Sequence, residues 1–225
     1  MLGTIKKLSY RRNTWQVFND LLEVCAITLS NSVDRTNREE REKQYLETIG
    51  RYDKKETDLI AQWFAKLILE LEHNSNMREL EDTLGGLFHA LELHNKWKGQ
   101  FFTPINICNA MGEITVNGCD NLIKENGYIT VGEPACGSGA MVLGIANSLL
   151  KKGYNPQKHM VVTATDIDIK CVHMAYIQFA LYGIPAIVVH GNTLTVEAWS
   201  TWYTPMYVWN RIRGHMREVA VWGQG

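Results

Sequence analysis

The chain has 225 residues, of which 45% are hydrophobic and 21% are charged. This length fits one large domain or two small ones, and the composition excludes a disordered tail, a collagen-like fibre and a disulfide scaffold. Its 23 basic and 24 acidic residues give a net charge of −1. The charge is therefore not that of a strongly basic nucleic-acid-binding protein, although a local basic patch is compatible with it.

The first hundred residues have the periodicity of helices. Apolar residues between Trp15 and Cys25 recur at one-, three- and four-residue steps, which is typical of an amphipathic helix. The pattern further predicts a charged helix over 37–50, an apolar-striped helix over 58–71, and a helix over 80–93 that is bent or interrupted at Gly85 and Gly86. Gly50 and the polar cluster 73–76 are expected to separate these helices.

The pattern changes after residue 101. Three β-type runs are predicted over 128–131, 160–165 and 186–190, with helical patterns over 140–151 and 169–181 between them. This alternation is typical of βαβ units around a parallel sheet. The sequence therefore predicts an α/β fold of Rossmann-like type, with a helical N-terminal domain over 1–98 and the α/β domain over 99–225.

A glycine-rich stretch, Glu133–Met141, follows the first predicted strand and precedes a predicted helix. That is the context of a nucleotide-binding turn. Gly137 and Gly139 allow the backbone to turn tightly and to approach a ligand closely. Val142 replaces the third glycine of the dinucleotide fingerprint, so NAD is not the favoured ligand.

Polar side chains also follow the next two predicted strands. Asp166 stands where a carboxylate can hold a ribose diol, and Asn192 stands where an amide can reach an adenine edge. Each residue alone is also compatible with ordinary turn or cap chemistry. Three such features in order at successive strand ends favour one ligand site.

The stretch from Glu133 to Gly139, E-P-A-C-G-S-G, resembles the cofactor motif of adenine-specific (N6) DNA methyltransferases, most closely the modification subunits of type I restriction-modification systems. Upstream, Gly99–Pro104 resembles the G-x-F-[FY]-T-P motif of the same family. The resemblance covers roughly residues 80 to 195. It implies an S-adenosylmethionine-dependent methyltransferase fold, here expected to have an incomplete sheet in a truncated domain.

The resemblance also implies how S-adenosylmethionine would be held. The residues that it places around the cofactor are Phe102, Thr103 and Pro104 along the pocket; Glu133, Ala135, Gly137 and Gly139 at the methionine end; Asp166 on the ribose; Ile167 on the adenine; and Asn192 at the adenine amino group. The family more often has Asp at the last position. For Phe101 and Phe102, plain core packing is the alternative.

The family's catalytic signature, [NDS]-P-P-[YFW], binds and stacks a flipped-out adenine, and no N-P-P or D-P-P occurs in this sequence. The nearest candidate is Thr204, Pro205 and Tyr207, with Pro205 as a carbonyl acceptor and Tyr207 as the stacking aromatic. The alternative for this region is an aromatic cluster that covers a sheet edge. The segment 197–202 does not have the pattern of a buried strand.

A small basic cluster follows this segment, and it suits either phosphate contacts or a solvated helix face. Its members are Arg211, Arg213, His215 and Arg217.

Two functions follow from these observations. The first is a DNA adenine-N6 methyltransferase of restriction-modification type, acting on double-stranded DNA, with a protein partner that supplies target recognition. The alternative is a catalytically degenerate module that binds S-adenosylmethionine and regulates or partners a restriction-modification complex. Methylation of RNA or protein is a third hypothesis.

The remaining sequence features bound the setting of either function. The five cysteines form no C-x-x-C pair, which favours reduced thiols in the cytoplasm and argues against a zinc site. The seven scattered histidines do not predict a metal site either. No run of about 18 apolar residues is present, so no membrane association is expected.

Overall fold

The protein is described here from a computed structural model, which covers residues 1–91 and 102–215. Helices come first, followed by a sheet with helices between its strands. In chain order the elements are α1 (Leu2–Leu8), α2 (Thr14–Ser30), α3 (Arg38–Ile49), α4 (Lys54–Asn76), α5 (Thr83–Ala90), α6 (Ile105–Thr115), α7 (Cys119–Asn126), β1 (Ile129–Glu133), α8 (Ala140–Lys151), α9 (Pro156–His159), β2 (Met160–Asp166), α10 (Ile169–Leu181), β3 (Ala186–Asn192), β4 (Glu197–Tyr203) and α11 (Pro205–Ile212). This confirms the predicted α/β fold preceded by a helical region.

Two helices, α4 and α5, differ from the prediction. Helix α4 continues through the polar cluster 73–76 to Asn76, because the Asn74 amide donates to the Tyr182 hydroxyl (3.3 Å) and tertiary contact outweighs local propensity. Helix α5 runs through Gly85 and Gly86 without interruption. Its start is fixed by Asp82, whose carboxylate accepts a hydrogen bond from the Gly85 amide (3.0 Å).

The four strands form one sheet in the order β1-β2-β3-β4. The first three strands are parallel, as predicted, and β4 pairs with β3 in the antiparallel direction. The sequence did not predict β4, because an edge strand with alternating exposed residues lacks the continuous apolar run of a buried strand. A bulge at His190 and Gly191 interrupts its register.

Helices α6 and α8 cross in close contact on one face of the sheet. A Cβ atom at Gly112 would lie 2.4 Å from the Gly144 carbonyl oxygen, and one at Gly144 would lie 2.3 Å from the carbonyl oxygen of Cys108. The two backbones therefore touch directly. This crossing fixes the start of α6 relative to α8, and both starts border the site described below.

The helical region and the sheet share one contiguous buried core. Arg41 of α3 is an example of the connection: its guanidinium pairs with Asp34 (2.7 Å), donates to the Thr201 carbonyl of β4 (2.8 Å) and lies over the Trp202 ring (4.0 Å). The predicted domain boundary between 98 and 99 lies outside the described residues, so the division into two domains stays a prediction.

Three further properties hold for the described part of the chain. No helix in it is both long and apolar enough to cross a membrane. It contains no group of three or more His, Cys, Asp or Glu side chains placed to hold a metal ion. All five cysteines lie within it, and each is buried with a free thiol.

The contact between α6 and α8 leads to a stability prediction. Gly144→Ala should lower the free energy of unfolding by about 1–3 kcal/mol, because the added methyl collides with backbone and the helices must separate. Gly86→Ala in α5 is the matched control, because a Cβ there meets nothing within 4 Å, and it should stabilise by about 0.5–1 kcal/mol. Urea unfolding measures both. Equal effects of the two substitutions would contradict the described crossing.

Candidate cofactor site

The glycine-rich turn between β1 and α8 has a backbone that requires glycine at two positions. Gly137 and Gly139 have φ values of +55° and +98°, in the left-handed region that side chains disfavour. A Cβ at Gly139 would lie 2.7 Å from the Phe179 ring, and one at Gly137 would lie 3.0 Å from the Phe102 ring. The turn is thus held close to aromatic side chains on both sides.

Asp166, at the end of β2, holds this turn in place. One carboxylate oxygen accepts a hydrogen bond from the Gly137 amide (2.8 Å), and the other accepts from the Asp168 amide (2.9 Å). The Cys136 amide also donates to the Thr165 carbonyl (2.9 Å). Burial raises the pKa of the Asp166 carboxyl, while the hydrogen bonds from the Asp168 and Gly137 amides lower it.

A cavity of about 200 Å³ lies above the turn. Its lining residues are Phe102, Thr103, Ala135, Cys136, Gly137, Ser138, Ala140, Met141, Asp166 and Cys171. Five of the residues predicted around the cofactor are therefore brought together here: Phe102, Thr103, Ala135, Gly137 and Asp166. They come from three separate parts of the sequence, which meet at the carboxyl end of the parallel strands.

Four other predicted residues do not line the cavity, but each lies within two positions in the sequence of a residue that does. They are Pro104, Glu133, Gly139 and Ile167. Pro104 directly precedes α6, and Glu133 accepts a hydrogen bond from the Ala135 amide (3.1 Å) within the turn. Gly139 is the residue before α8 and packs under Phe179. Ile167 follows Asp166, and 60% of its surface is exposed.

Asn192 ends β3, and it also does not line the cavity. Its side-chain oxygen accepts hydrogen bonds from the amides of Leu194 (3.0 Å) and Thr195 (3.4 Å), which form an Asx turn. The neighbouring Thr193 hydroxyl donates to the Pro134 carbonyl (2.6 Å) and ties the end of β3 to the glycine turn. The turn chemistry that the sequence offered as an alternative for Asn192 is thus present in the structure.

The upstream motif is described only in part, since Gly99, Gln100 and Phe101 lie outside the described residues. The Phe102 ring forms one wall of the cavity, and its centroid lies 5.0 Å from that of Phe88 and 5.6 Å from that of His89. Core packing and a place in the cavity wall therefore both apply to Phe102.

Several residues that line the cavity had not been predicted individually from the sequence. Cys136, Ser138, Ala140 and Met141 belong to the glycine-rich stretch, so their place in the motif could have indicated them. Cys171 lies in the first turn of α10 and carried no local signal. Burial raises the pKa of the Cys136 and Cys171 thiols, which keeps both neutral and argues against a nucleophilic role.

Thr204 of the candidate catalytic segment is fully buried, and its hydroxyl is fully used. The hydroxyl donates to the Ile184 carbonyl (2.8 Å) and accepts from the amides of Ala186 (2.8 Å) and Tyr207 (3.4 Å). Thr204 is therefore the N-cap of α11, with Pro205 in the first turn, where proline is favoured.

This segment lies at the opposite end of the sheet from the cavity. Thr204 bonds to Ala186 at the start of β3, whereas Asp166 pairs with His190, four residues further along that strand. At the usual rise of a strand this is a separation of about 13 Å. Thr204, Pro205 and Tyr207 are therefore not among the residues that line the cavity, and their catalytic role stays a prediction.

The aromatic side chains around this segment pack on the sheet. Tyr207 is 5% exposed and stacks on Tyr203 with centroids 5.8 Å apart. The ring centroids of Trp202 and His173 lie 4.9 Å apart, and those of Trp199 and His190 are separated by the same distance. These contacts favour the alternative of an aromatic cluster along the sheet edge.

Two members of the predicted basic cluster have clear environments. The Arg213 guanidinium lies over the Trp209 ring at 4.1 Å, and His215 is exposed. Arg217 lies outside the described residues. Residues 213–215 are exposed at the end of α11.

A mostly parallel sheet with a glycine turn over its carboxyl end and a cavity beside it is typical of an α/β protein of Rossmann-like type. The sequence family described as N-6 DNA Methylase matches residues 83–210. This match covers more than half of the chain, which therefore belongs to the N-6 DNA methylase family. The matched range includes every described residue of the cavity.

A solved structure is also similar to this chain. It is the type I restriction-modification system methyltransferase subunit from Streptococcus thermophilus, with 18% sequence identity and a TM-score of 0.46. The similarity covers 87% of this chain and 43% of that subunit, so the chain spans less than half of the subunit's length. No curated protein sequence matches the chain.

The environment of Thr204 leads to a second prediction. Thr204→Val should lower the free energy of unfolding by about 2–3 kcal/mol, because the Ala186 amide and the Ile184 carbonyl lose a buried partner and α11 loses its cap. Thr204→Ser keeps the hydroxyl and should cost less than half as much. Chemical unfolding compares the two. Unchanged stability of the valine variant would contradict the structural role.

Proposed function

We propose that the cavity binds S-adenosylmethionine. The observation that carries the proposal is the glycine turn fixed by the Asp166 carboxylate inside a cavity that Phe102 also lines. Glycine turns of this kind admit a ligand close to the backbone. The family to which the chain belongs supports this cofactor over a dinucleotide, as does Val142 in place of a third glycine.

The residues present suit such a cofactor. The start of α8 offers backbone amides to the carboxylate at the methionine end. Asp166 accepts two backbone amides, and since a carboxylate has about four acceptor positions, it retains capacity for ribose hydroxyls. We assign Ala135, Gly137 and Gly139, with Glu133 beside them, to the methionine end. When bound, the cofactor would supply an activated methyl group.

We further propose roles for the outer residues of the site. Phe102, Thr103 and Pro104 would close one side of the cofactor through the packed Phe102 ring. Ile167, which is largely exposed at the rim, would pack on the adenine and thereby lose apolar surface to water. Asn192 would accept a hydrogen bond from the adenine amino group through its side-chain oxygen, which would have to release hydrogen bonds of its Asx turn.

For the whole activity we propose an adenine-N6 methyltransferase-like protein of restriction-modification type, with double-stranded DNA as substrate. Membership of the N-6 DNA methylase family supports the DNA adenine target. A protein partner would supply target recognition. The five free cysteines support the cytoplasm as its compartment.

A second candidate is a catalytically degenerate module that binds the cofactor and partners or regulates a restriction-modification complex. The specific observation in its favour is the Thr204 hydroxyl, which is engaged as a helix cap about 13 Å along the sheet from the cavity. This engagement supports a structural role for the nearest match to the catalytic signature. Both candidates share the cofactor site.

One experiment tests the cofactor site and separates the two candidates. The protein is first titrated with S-adenosylmethionine by calorimetry and then incubated with labelled cofactor and unmethylated double-stranded DNA of varied sequence. We expect saturable one-to-one binding. Label in N6-methyladenine identifies the enzyme, and binding without transfer identifies the degenerate module. Absence of binding would reject the proposed cofactor.

Asp166→Ala should weaken S-adenosylmethionine binding by about tenfold to a hundredfold, because it removes a charged hydrogen-bonding partner of the turn and of the ribose. Asp120→Ala is the control, since Asp120 lies on the surface and pairs with Lys152 (2.9 Å) away from the cavity. The control should bind as tightly as the unmodified protein. Equal affinity of the Asp166 variant would mean that the cofactor site is elsewhere.

A further inference from the structure

Helix α5 touches both walls of the cavity, although it belongs to the helical region that precedes the glycine-rich motif. Its N-cap residue, Asp82, contacts the glycine turn, and Phe88 in its last turn contacts the Phe102 wall. We infer that α5 is a positioning element for the cofactor site, acting through Asp82 on the turn and through Phe88 on the aromatic wall. The inference rests on the proposed function, because it concerns the same cavity.

The Asp82 carboxylate joins the helix to the turn. One oxygen accepts a hydrogen bond from the Ser138 hydroxyl (2.6 Å), and the other accepts from the Gly85 amide of α5 (3.0 Å). One carboxylate therefore caps the helix and holds the turn. A rotation of α5 cannot leave both bonds intact, so the position of the turn depends on the position of this helix.

Gln178 of α10 completes the connection. It is fully buried, and its amide nitrogen donates both to the second Asp82 oxygen (2.9 Å) and to the Ser138 carbonyl (2.8 Å). Its oxygen accepts from the Leu84 amide of α5 (3.1 Å). Ser138 is thus held through both its hydroxyl and its carbonyl, and it lies between the two glycines whose conformation shapes the turn.

The last turn of α5 positions the opposite wall. The Phe88 and Phe102 ring centroids lie 5.0 Å apart with the planes tilted by 54°, within the range of favourable aromatic contacts. The Phe102 ring in turn lies against Gly137, since a Cβ at that glycine would approach it to 3.0 Å. Helix α5 therefore reaches the glycine turn in two ways: Asp82 contacts it directly at Ser138, and Phe88 contacts it through Phe102.

These contacts fix the turn before a ligand arrives. A turn held by Asp82 and Gln178 loses little conformational freedom on binding, and such preorganisation increases affinity. Asp82 lies directly before the family match, which begins at residue 83. Asp82 and Ser138 are 56 positions apart in the chain. This positioning role is therefore a property of the folded chain rather than of the glycine-rich motif.

Asp82→Ser tests the inference. Serine still caps a helix, but it lacks the second oxygen that accepts from Ser138. We expect S-adenosylmethionine affinity to fall about tenfold, and affinity for 5′-methylthioadenosine, which lacks the amino-acid end near the turn, to change less than twofold. Calorimetry measures both ligands. Without ligand, amide hydrogen exchange across 136–140 should accelerate.

Asp53→Ser is the matched control, because Asp53 caps α4 through the Glu56 amide (2.9 Å) and does not line the cavity. It should lower stability without changing the affinity for either ligand. A double-mutant cycle with Ser138→Ala should show that the effects of Asp82→Ser and Ser138→Ala on S-adenosylmethionine binding are less than additive.

The outcomes separate the inference from the function on which it rests. Unmodified protein that binds neither ligand would reject the proposed cofactor, and the hydrogen-exchange result alone would then decide whether Asp82 holds the turn. If the unmodified protein binds S-adenosylmethionine and Asp82→Ser leaves its affinity unchanged, or weakens both ligands equally, the positioning role is overturned while the cofactor site stands.

Discussion

The hydrogen bond between the Asp166 carboxylate and the Gly137 amide is the contact on which the site depends. It joins the end of β2 to the turn that follows β1, and both Gly137 and Asp166 line the cavity. The contact places a partly buried carboxylate beside a left-handed glycine, an arrangement that costs free energy through desolvation and backbone entropy.

The surrounding structure offsets this cost through packing on the same side of the sheet. Helix α8 follows the turn and crosses α6 in direct backbone contact, while α10 supplies Gln178 beneath Ser138. Helix α5 adds Asp82 and the Phe88 contact. The helical region is thus part of the site's support, and the shared core explains why the two parts of the chain fit together.

The sequence predicted those parts of the fold that depend on local patterns. Residues 140–151 and 169–181 form helices with the predicted bounds, since apolar periodicity and polar flanks mark both ends. The glycine turn and Asp166 were predicted to lie together, because the carboxyl ends of the parallel strands β1 and β2 meet at the same edge of the sheet. These are properties of neighbouring residues and of general topology.

Features that depend on distant partners were not predicted. Strand β4 forms because it pairs with β3, and α4 continues through its polar cluster because Asn74 reaches Tyr182. Thr204 resembled a catalytic residue in sequence, yet its hydroxyl bonds to Ile184 and Ala186 at the far end of the sheet. Residues of the same type serve either purpose, and only the fold distinguishes them.

The proposed cofactor site lies over the glycine turn at the carboxyl end of the parallel strands. Backbone amide resonances recorded during titration with S-adenosylmethionine test it most directly. We expect the largest shifts on residues 135–140, on Thr103 and on Asp166, and no shifts along 204–207. Shifts centred on 204–207, or no shifts at all, would contradict it.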